Sequence, residues 1–366
     1  MTAPGLEGIL ARELRGLGIS LGKSVSGGVE FKGSREELWR ANLWSRTANR
    51  VVERVAEFHA STFHELERRA KKIEWNRYLS AGSSVRFRVT ARKSKLYHSD
   101  AVAERLGTAA GKAGAVVAQD ADDDESENDA QLFIVRIAND ICSISADSSG
   151  ALLHRRGYRQ AIAKAPLRET LGAAMLLGSG WSSSKVLVDP MCGSGTIAIE
   201  GAMIARNIAP GIGRKFAFEQ WPDHDKAKWR ALGNHAKSSE RSRAEPGIFA
   251  SDRDAGATTA TIENANRAGV LEDIEVENRS LSEVDLPDRE GWIVTNPPYG
   301  LRIGESGRLR NLYARLGQIV REAKAGYTLG LLSADKALDA QLGIALEEVF
   351  RTTNGGIPVR MVVGKG

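Results

Sequence analysis

The stretch Lys185-Val186-Leu187-Val188-Asp189-Pro190-Met191-Cys192-Gly193-Ser194-Gly195-Thr196 decides how the chain is read. Val186 to Val188 make a short apolar run of the kind buried in a parallel sheet. Asp189 ends the run, Pro190 has no N–H for a ladder, and Gly193 and Gly195 follow. From Thr196 onward, Ile197, Ile199, Ala202, Met203 and Ile204 predict a helix. The unit is a strand, a glycine turn and a helix. Such a turn lets backbone approach a ligand at the carboxyl end of a strand, where open α/β sheets bind ligands.

No Gly-Lys-Ser/Thr follows the glycines, so the turn is not a P-loop, and the G-x-G-x-x-G spacing of dinucleotide sites is absent. An acid ahead of the glycines repels pyrophosphate and suits a cation. S-adenosylmethionine offers a sulfonium and an ammonium beside an adenosine. The run from Asp189 to Thr196 resembles the first motif of Rossmann-like methyltransferases.

A second stretch, Gly291-Trp292-Ile293-Val294-Thr295-Asn296-Pro297-Pro298-Tyr299-Gly300, takes a strand into Asn-Pro-Pro-Tyr, where a helix cannot continue. The Asn296 amide oxygen and the Pro297 carbonyl can both accept from one exocyclic amine, and Tyr299 can stack on its ring. Holding an amine this way orients its lone pair toward an electrophile, and displacement from a sulfonium needs positioning more than strong base catalysis. Between the two stretches, Gly247 to Asp252 predicts another strand ending in an acid. Such an acid commonly accepts from ribose hydroxyls, with Asp254 the less favoured candidate. Phe216, Phe218, Trp221 and Trp229 are expected to pack a helical insert over this sheet.

The first half reads as α+β. Apolar residues at Leu6, Ile9, Leu10, Leu14 and Leu17 predict a helix, Gly28 to Gly33 a strand, and Ser34 caps a second helix through Trp44. Val51 to Phe58 is another strand, and Thr62 opens a helix to Ile73. Val85 to Arg92 alternates, putting Arg86, Arg88 and Thr90 opposite Val85, Phe87 and Val89. One reading is a solvated basic face. The other adds Lys93, Lys95, Tyr97 and His98 in the following turn, where positive charge and a stacking ring suit RNA. Asp120, Asp122 and Asp124 echo a calcium loop. Glu125 stands where that loop needs Gly and Gln131 where it needs Glu, so a solvated acidic loop is expected and no metal.

At 366 residues the chain exceeds one compact core. Its 42% apolar and 27% charged content is that of a globular protein, with no run of eighteen apolar residues to span a membrane. The formal charge of +5 permits a nucleic-acid partner. Cys142 and Cys192 form no C-x-x-C pair, which argues against a zinc ribbon or a disulfide framework. Met1 to Leu10 lacks the basic and apolar regions of a signal peptide, so a cytoplasmic protein is expected.

With these residues in view, the chain resembles the THUMP-domain class I RNA methyltransferases that form N2-methylguanosine in tRNA or ribosomal RNA. The resemblance runs through Gly5-Leu6-Glu7-Gly8, Lys95-Leu96-Tyr97-His98, Leu153-His154-Arg155-Arg156-Gly157-Tyr158-Arg159, Ala165 to Thr170, Asp189 to Thr196 and Asn296 to Gly300. It implies an α/β fold in four parts. These are a ferredoxin-like module over 1–60, a THUMP RNA-binding domain over 61–152, a linker and helix over 153–180, and a Rossmann-like methyltransferase domain over 181–366. It implies S-adenosyl-L-methionine as cofactor, held by Asp189, Pro190, Cys192, Gly193, Ser194, Gly195, Thr196, Asp252 and Asn296. Asn296, Pro297, Pro298 and Tyr299 then form the catalytic loop. Arg86, Arg88, Arg92, Lys93, Lys95, Tyr97, His98, Arg155 and Arg156 are expected to face RNA, either tRNA or 23S ribosomal RNA. A monomer is expected. Two departures stand out. The family's acid after the third strand is replaced by Asn278-Arg279-Ser280, so Ser280 is the expected acceptor for the adenine amine. Only Met1 to Pro4 precede Gly5, so the opening module is expected to lack a strand. The rival readings are an amino-methyltransferase acting on adenine N6 or a protein amide, and an inactive RNA-binding member of the fold.

Overall fold

The computed structural model describes the chain apart from residues 113, 119–129, 161–166 and 300–305, and the side chain of Ser306. The acidic stretch at 120–129, Ala165-Pro166 and Gly300 therefore lie outside the described residues.

The first half contains α1 (Glu7–Gly16), β1 (Leu21–Val25), β2 (Gly28–Phe31), α2 (Arg35–Trp44), β3 (Val52–His59) and α3 (Phe63–Ala70). It continues with β4 (Ser84–Arg92), α4 (Ser99–Gly111), β5 (Val116–Val117), β6 (Gln131–Ala138) and β7 (Ile141–Asp147). The second half contains α5 (Glu169–Gly178), β8 (Val186–Asp189), α6 (Thr196–Ala205), α7 (Lys226–Ser238), β9 (Ile248–Asp252) and α8 (Ala255–Arg267). It closes with β10 (Ile274–Asn278), β11 (Gly291–Thr295), α9 (Ser306–Glu322), β12 (Tyr327–Ser333), α10 (Lys336–Asp339), β13 (Glu347–Asn354) and β14 (Ile357–Lys365).

Local chemistry sets the helix starts. Ser34 and Glu37 exchange hydrogen bonds across the first turn of α2, and the Thr62 hydroxyl accepts from the Glu65 amide at the start of α3. In the opening module β1 and β2 pair only with each other, and Thr2 adds one backbone bond to Gly27. β3 does not belong to this hairpin. It pairs antiparallel with β7 at the edge of a five-stranded sheet ordered β3-β7-β6-β4-β5, so a boundary at residue 60 separates the strand from its sheet.

The second half is a seven-stranded sheet ordered β10-β9-β8-β11-β12-β14-β13. β10 to β12 are parallel through β8, whereas β14 runs against both β12 and β13. After β8 the chain fills one side with β9 and β10, then crosses back to place β11 on the other. β8 and β11 thus flank the topological switch point, where such sheets bind ligands. Because β14 is reversed, β13 points the same way as β8 and β11, and its carboxyl end lies at the ligand edge.

The halves share packing. Leu6, just before α1, and Ile9 of α1 enter the core of the methyltransferase-like sheet beside Leu171, Phe350 and Met361, while Leu10 and Leu14 of the helix enter the core of the first half. The aromatic insert corrects the sequence reading. Phe216, Phe218 and Trp221 join the core of the first half, Phe218 stacking on Trp39 and Trp221 meeting Tyr78 edge to face, rather than lying over the seven-stranded sheet. Trp221 also donates from its indole N–H to Gln131 Oε1 at 2.7 Å. The insert is a clamp between the halves. Among the described residues no helix is long and apolar enough to cross a membrane, and no group of His, Cys, Asp or Glu is placed to hold a metal ion.

Candidate active site

The turn after β8 is fixed from both sides. Cys192 N–H donates to the Ser251 carbonyl at 3.0 Å, and Gly195 N–H to the Cys192 carbonyl at 2.8 Å. From α8, the Thr261 hydroxyl donates to the Gly193 carbonyl and the Asn264 amide to the Ser194 carbonyl, each at 3.0 Å. The two glycines do different work. At Gly195 (φ +84°) an added Cβ would come 2.7 Å from Thr261 Cγ2, so the small residue permits α8 to pack against the turn. At Gly193 (φ +56°) an added Cβ would meet nothing within 4 Å, so this position opens onto free space. Pro190, Cys192, Ser194 and Thr196 are buried and shape the turn from beneath. Thr196 Oγ1 donates to the Leu167 carbonyl at 3.3 Å and accepts from Arg159 at 3.0 Å, tying the turn to the incoming connector.

Asp189 is 1% exposed. Its Oδ1 accepts from the Thr295 hydroxyl at 2.8 Å and from the Met191 N–H at 3.3 Å. Burial pushes its carboxyl up to about 7, against the pull of those hydrogen bonds. No cationic side chain among the described residues pairs with it. A buried carboxylate without a countercharge beside an open glycine turn fits the α-ammonium group of S-adenosylmethionine.

Asp252 ends β9 half-buried, accepting from the Gly193 N–H on one oxygen and the Asp254 N–H on the other, both at 3.0 Å. Asp254 caps α8 by accepting from the Gly256 N–H at 2.8 Å. That leaves Asp252 as the acid at the strand end. Beside it, Asn278 donates to the Asp252 carbonyl at 2.8 Å. Ser280 is committed to a turn, its hydroxyl and its N–H both donating to Glu283.

At the end of β11, Asn296 is half-buried, Pro297 buried, Pro298 exposed and Tyr299 half-buried. The Thr295–Asp189 bond joins this loop to the glycine turn across the switch point. The Tyr299 hydroxyl donates to Asn296 Oδ1 and accepts from Asn354 Nδ2 at 3.3 Å. Burial holds the phenol up at about 12, so it stays a donor. Thr261, Asn264, Thr295 and Asn354 were not singled out by the sequence reading. Only Thr295, adjoining Asn-Pro-Pro-Tyr, carried a local signal.

The basic residues divide. Arg92 at the end of β4 and Lys93, Lys95, Tyr97 and His98 in the turn after it lie exposed, with the Tyr97 and His98 rings 4.1 Å apart between centroids. Asp140 shapes that turn by accepting from the Lys95 N–H at 2.7 Å. Arg88 is half-buried. Arg86 is a correction: at 6% exposure it is inside, in the part of β4 where Val85, Arg86 and Phe87 are all buried and both faces of the strand are covered. Arg156 is another. It is buried, donating to the Arg46 carbonyl at 2.6 Å and lying 3.4 Å from Glu200 Oε1, so it joins the halves and does not face a ligand. Arg155 is half-buried beside it.

Sheet order, glycine turn and Asn-Pro-Pro-Tyr loop together define a Rossmann-like methyltransferase. Residues 156–362 match the family model described as "RMKL-like, methyltransferase domain", and residues 1–52 match the RlmL ferredoxin-like domain. The chain belongs to the RlmK/L-like family of S-adenosylmethionine-dependent methyltransferases. It is 35% identical to slr0064 of Synechocystis sp., named as an RNA methyltransferase, over 98% of this chain and 94% of that one. It is also 35% identical to the ribosomal RNA large subunit methyltransferase K/L of Methylococcus capsulatus, over 98% of this chain. The chain spans about half the length of the K/L relatives it matches (50% for that one). The crystal structure of SMU.472 complexed with SAH is 30% identical, with a TM-score of 0.86, covering 99% of this chain and 96% of that one.

Proposed function

We propose that the chain transfers a methyl group to guanine N2 in RNA, with large-subunit ribosomal RNA favoured over tRNA. The observation that carries the reading is the Asn296 acceptor, set by Tyr299 at the end of β11 and joined to Asp189 through Thr295. Bound at the glycine turn, S-adenosylmethionine supplies an electrophilic methyl on a sulfonium. Asp189 supplies the countercharge for its ammonium end, and Asp252 accepts from its ribose hydroxyls. Asn296 Oδ1 keeps a second lone pair beside the one Tyr299 uses, and with the Pro297 carbonyl it accepts from the two N–H groups of the amine. The Tyr299 ring stacks on the base.

Guanine alone among the bases presents an amine on its minor-groove edge, so a pocket that holds that edge against the two acceptors selects it. The target must leave its stack, at a few kcal/mol in paired RNA, which favours loops and helix ends. RNA as substrate is supported by the exposed Arg92, Lys93 and Lys95 with the paired rings of Tyr97 and His98, and by the names of the relatives. On this reading the five-stranded sheet with α3 and α4 is the THUMP domain. Mapping methylated nucleotides in total RNA with and without the gene tests the proposal. Loss of N2-methylguanosine at one or a few positions is expected, and an unchanged map would overturn it.

A further inference from the structure

The Tyr299 hydroxyl sits between two asparagines. It donates to Asn296 Oδ1, and it accepts at 3.3 Å from Nδ2 of Asn354, which is 55 residues further along the chain. Asn354 ends β13, next to a two-residue turn of Gly355 and Gly356, both with positive φ, and is paired in register with Ile357. A turn of that type matches the twist of the two strands it joins. The reversed β14 is what brings this tip to the ligand edge, although β12 and β14 separate β13 from β11 in the sheet. Two further contacts fix the hairpin. Phe350 is buried in the core, and the backbone oxygen of Arg351 lies where a Cβ on Gly5 would fall, so the opening module is packed directly against β13.

We infer that Asn354 is a positioning residue for the transfer, acting through Tyr299 on Asn296; the inference rests on the function proposed above. An amide N–H has one role toward a phenol: it donates. That leaves the phenol proton for Asn296 Oδ1, so the chain Asn354 to Tyr299 to Asn296 runs in one direction and each bond polarises the next. The consequence is twofold. The Tyr299 ring is pinned at its far edge in the plane where a base stacks. The Asn296 amide is held oxygen-inward, so it presents an acceptor and not an NH2 to the incoming amine. A tyrosine that only stacked would lose nothing with its hydroxyl; here Tyr299→Phe frees the Asn296 amide to turn.

The test is single-turnover methyl transfer by the full chain, with labelled S-adenosylmethionine and in vitro transcribed large-subunit ribosomal RNA. Asn354→Ala is expected to slow the transfer step about five- to tenfold, the size of one polar contact, with KM for RNA and cofactor affinity within about twofold of the parent. Asn354→Asp keeps the shape and reverses the chain, because a carboxylate only accepts and draws the phenol proton away from Asn296. It is expected to be at least as slow as Asn354→Ala. Tyr299→Phe combined with Asn354→Ala should be no slower than Tyr299→Phe alone. Parent-like transfer in Asn354→Asp, or rate losses that multiply in the double variant, would overturn the inference. Which base carries the label is read separately by nucleoside mass spectrometry. Label on another base with the coupling intact removes the guanine reading and leaves the relay. Label on guanine N2 without the coupling does the reverse.

Discussion

Asp189 and Glu200 are both carboxylates sealed inside the same domain, at 1% and 0% exposure. Glu200, on α6, faces Arg156 at 3.4 Å and the Tyr158 hydroxyl at 3.3 Å. Asp189, at the end of β8, faces a threonine hydroxyl and one backbone N–H, with no cation among the described residues. A buried charge met by an internal countercharge is part of the architecture. A buried charge left without one, next to a glycine opening onto free space, is placed to take its countercharge from a ligand. The same contrast separates Arg156, enclosed between the halves, from Arg92, Lys93 and Lys95 in their exposed turn.

Removing the partner of Glu200 gives the largest effect. Arg156→Ala takes away the ion-pair partner of a buried carboxylate and is expected to destabilise the fold by about 3–5 kcal/mol. Urea unfolding measures this, and a loss below about 1 kcal/mol would break the comparison. Asp189 should behave in the opposite sense. Asp189→Ala is expected to weaken cofactor binding by roughly 1.5–3 kcal/mol by calorimetric titration, because the ligand cation loses its carboxylate. Asp189→Asn, which keeps the shape, should leave the unliganded protein no less stable near pH 8.

The pH dependence sharpens the contrast. A carboxyl raised to about 7 in the folded state contributes stability fully present below its ordinary range, and this is lost as pH rises through 7. Binding a cation needs the ionised form, so cofactor affinity should fall as pH drops below about 7, with a proton released on binding. Calorimetry near pH 6 in buffers of different ionisation heat detects that proton, and Asp189→Asn should abolish it. The smallest effects belong to the exposed turn. Neutralising Arg92, Lys93 or Lys95 should change stability by no more than about 0.5 kcal/mol, yet reduce the log–log salt slope of RNA binding by about 0.7–0.9 each. An unchanged slope in all three would move the RNA surface elsewhere.

What could be read in advance was what is local. The strand, turn and helix around Asp189 and the strand into Asn296 each declare themselves within about a dozen residues, through apolar runs and the backbone limits of Gly and Pro. What could not be read depends on tertiary placement. Alternation put Arg86 on an outer face, but Val85, Arg86 and Phe87 are all buried, so both faces of the strand are covered at that point. The run from His154 to Arg159 is basic in composition, yet only the fold supplies Glu200 to Arg156 and Glu169 to Arg159. Thr261 and Asn264 stand on a helix whose existence was evident, while its contact with the glycine turn was not. Asn354 carries no motif at all. Its place follows from the reversal of β14, which no short window of sequence records.

The claim that the paired loops form an amine-methylating site for guanine is tested most directly by nucleoside mass spectrometry. The purified full chain is reacted with isotope-labelled S-adenosylmethionine and RNA from a strain lacking the gene. Labelled N2-methylguanosine should accumulate, and Asn296→Ala should slow its appearance about 10²–10³-fold while cofactor affinity stays near that of the parent. Label appearing on adenine N6 or on a ring nitrogen, or a parent-like rate in Asn296→Ala, would contradict the account.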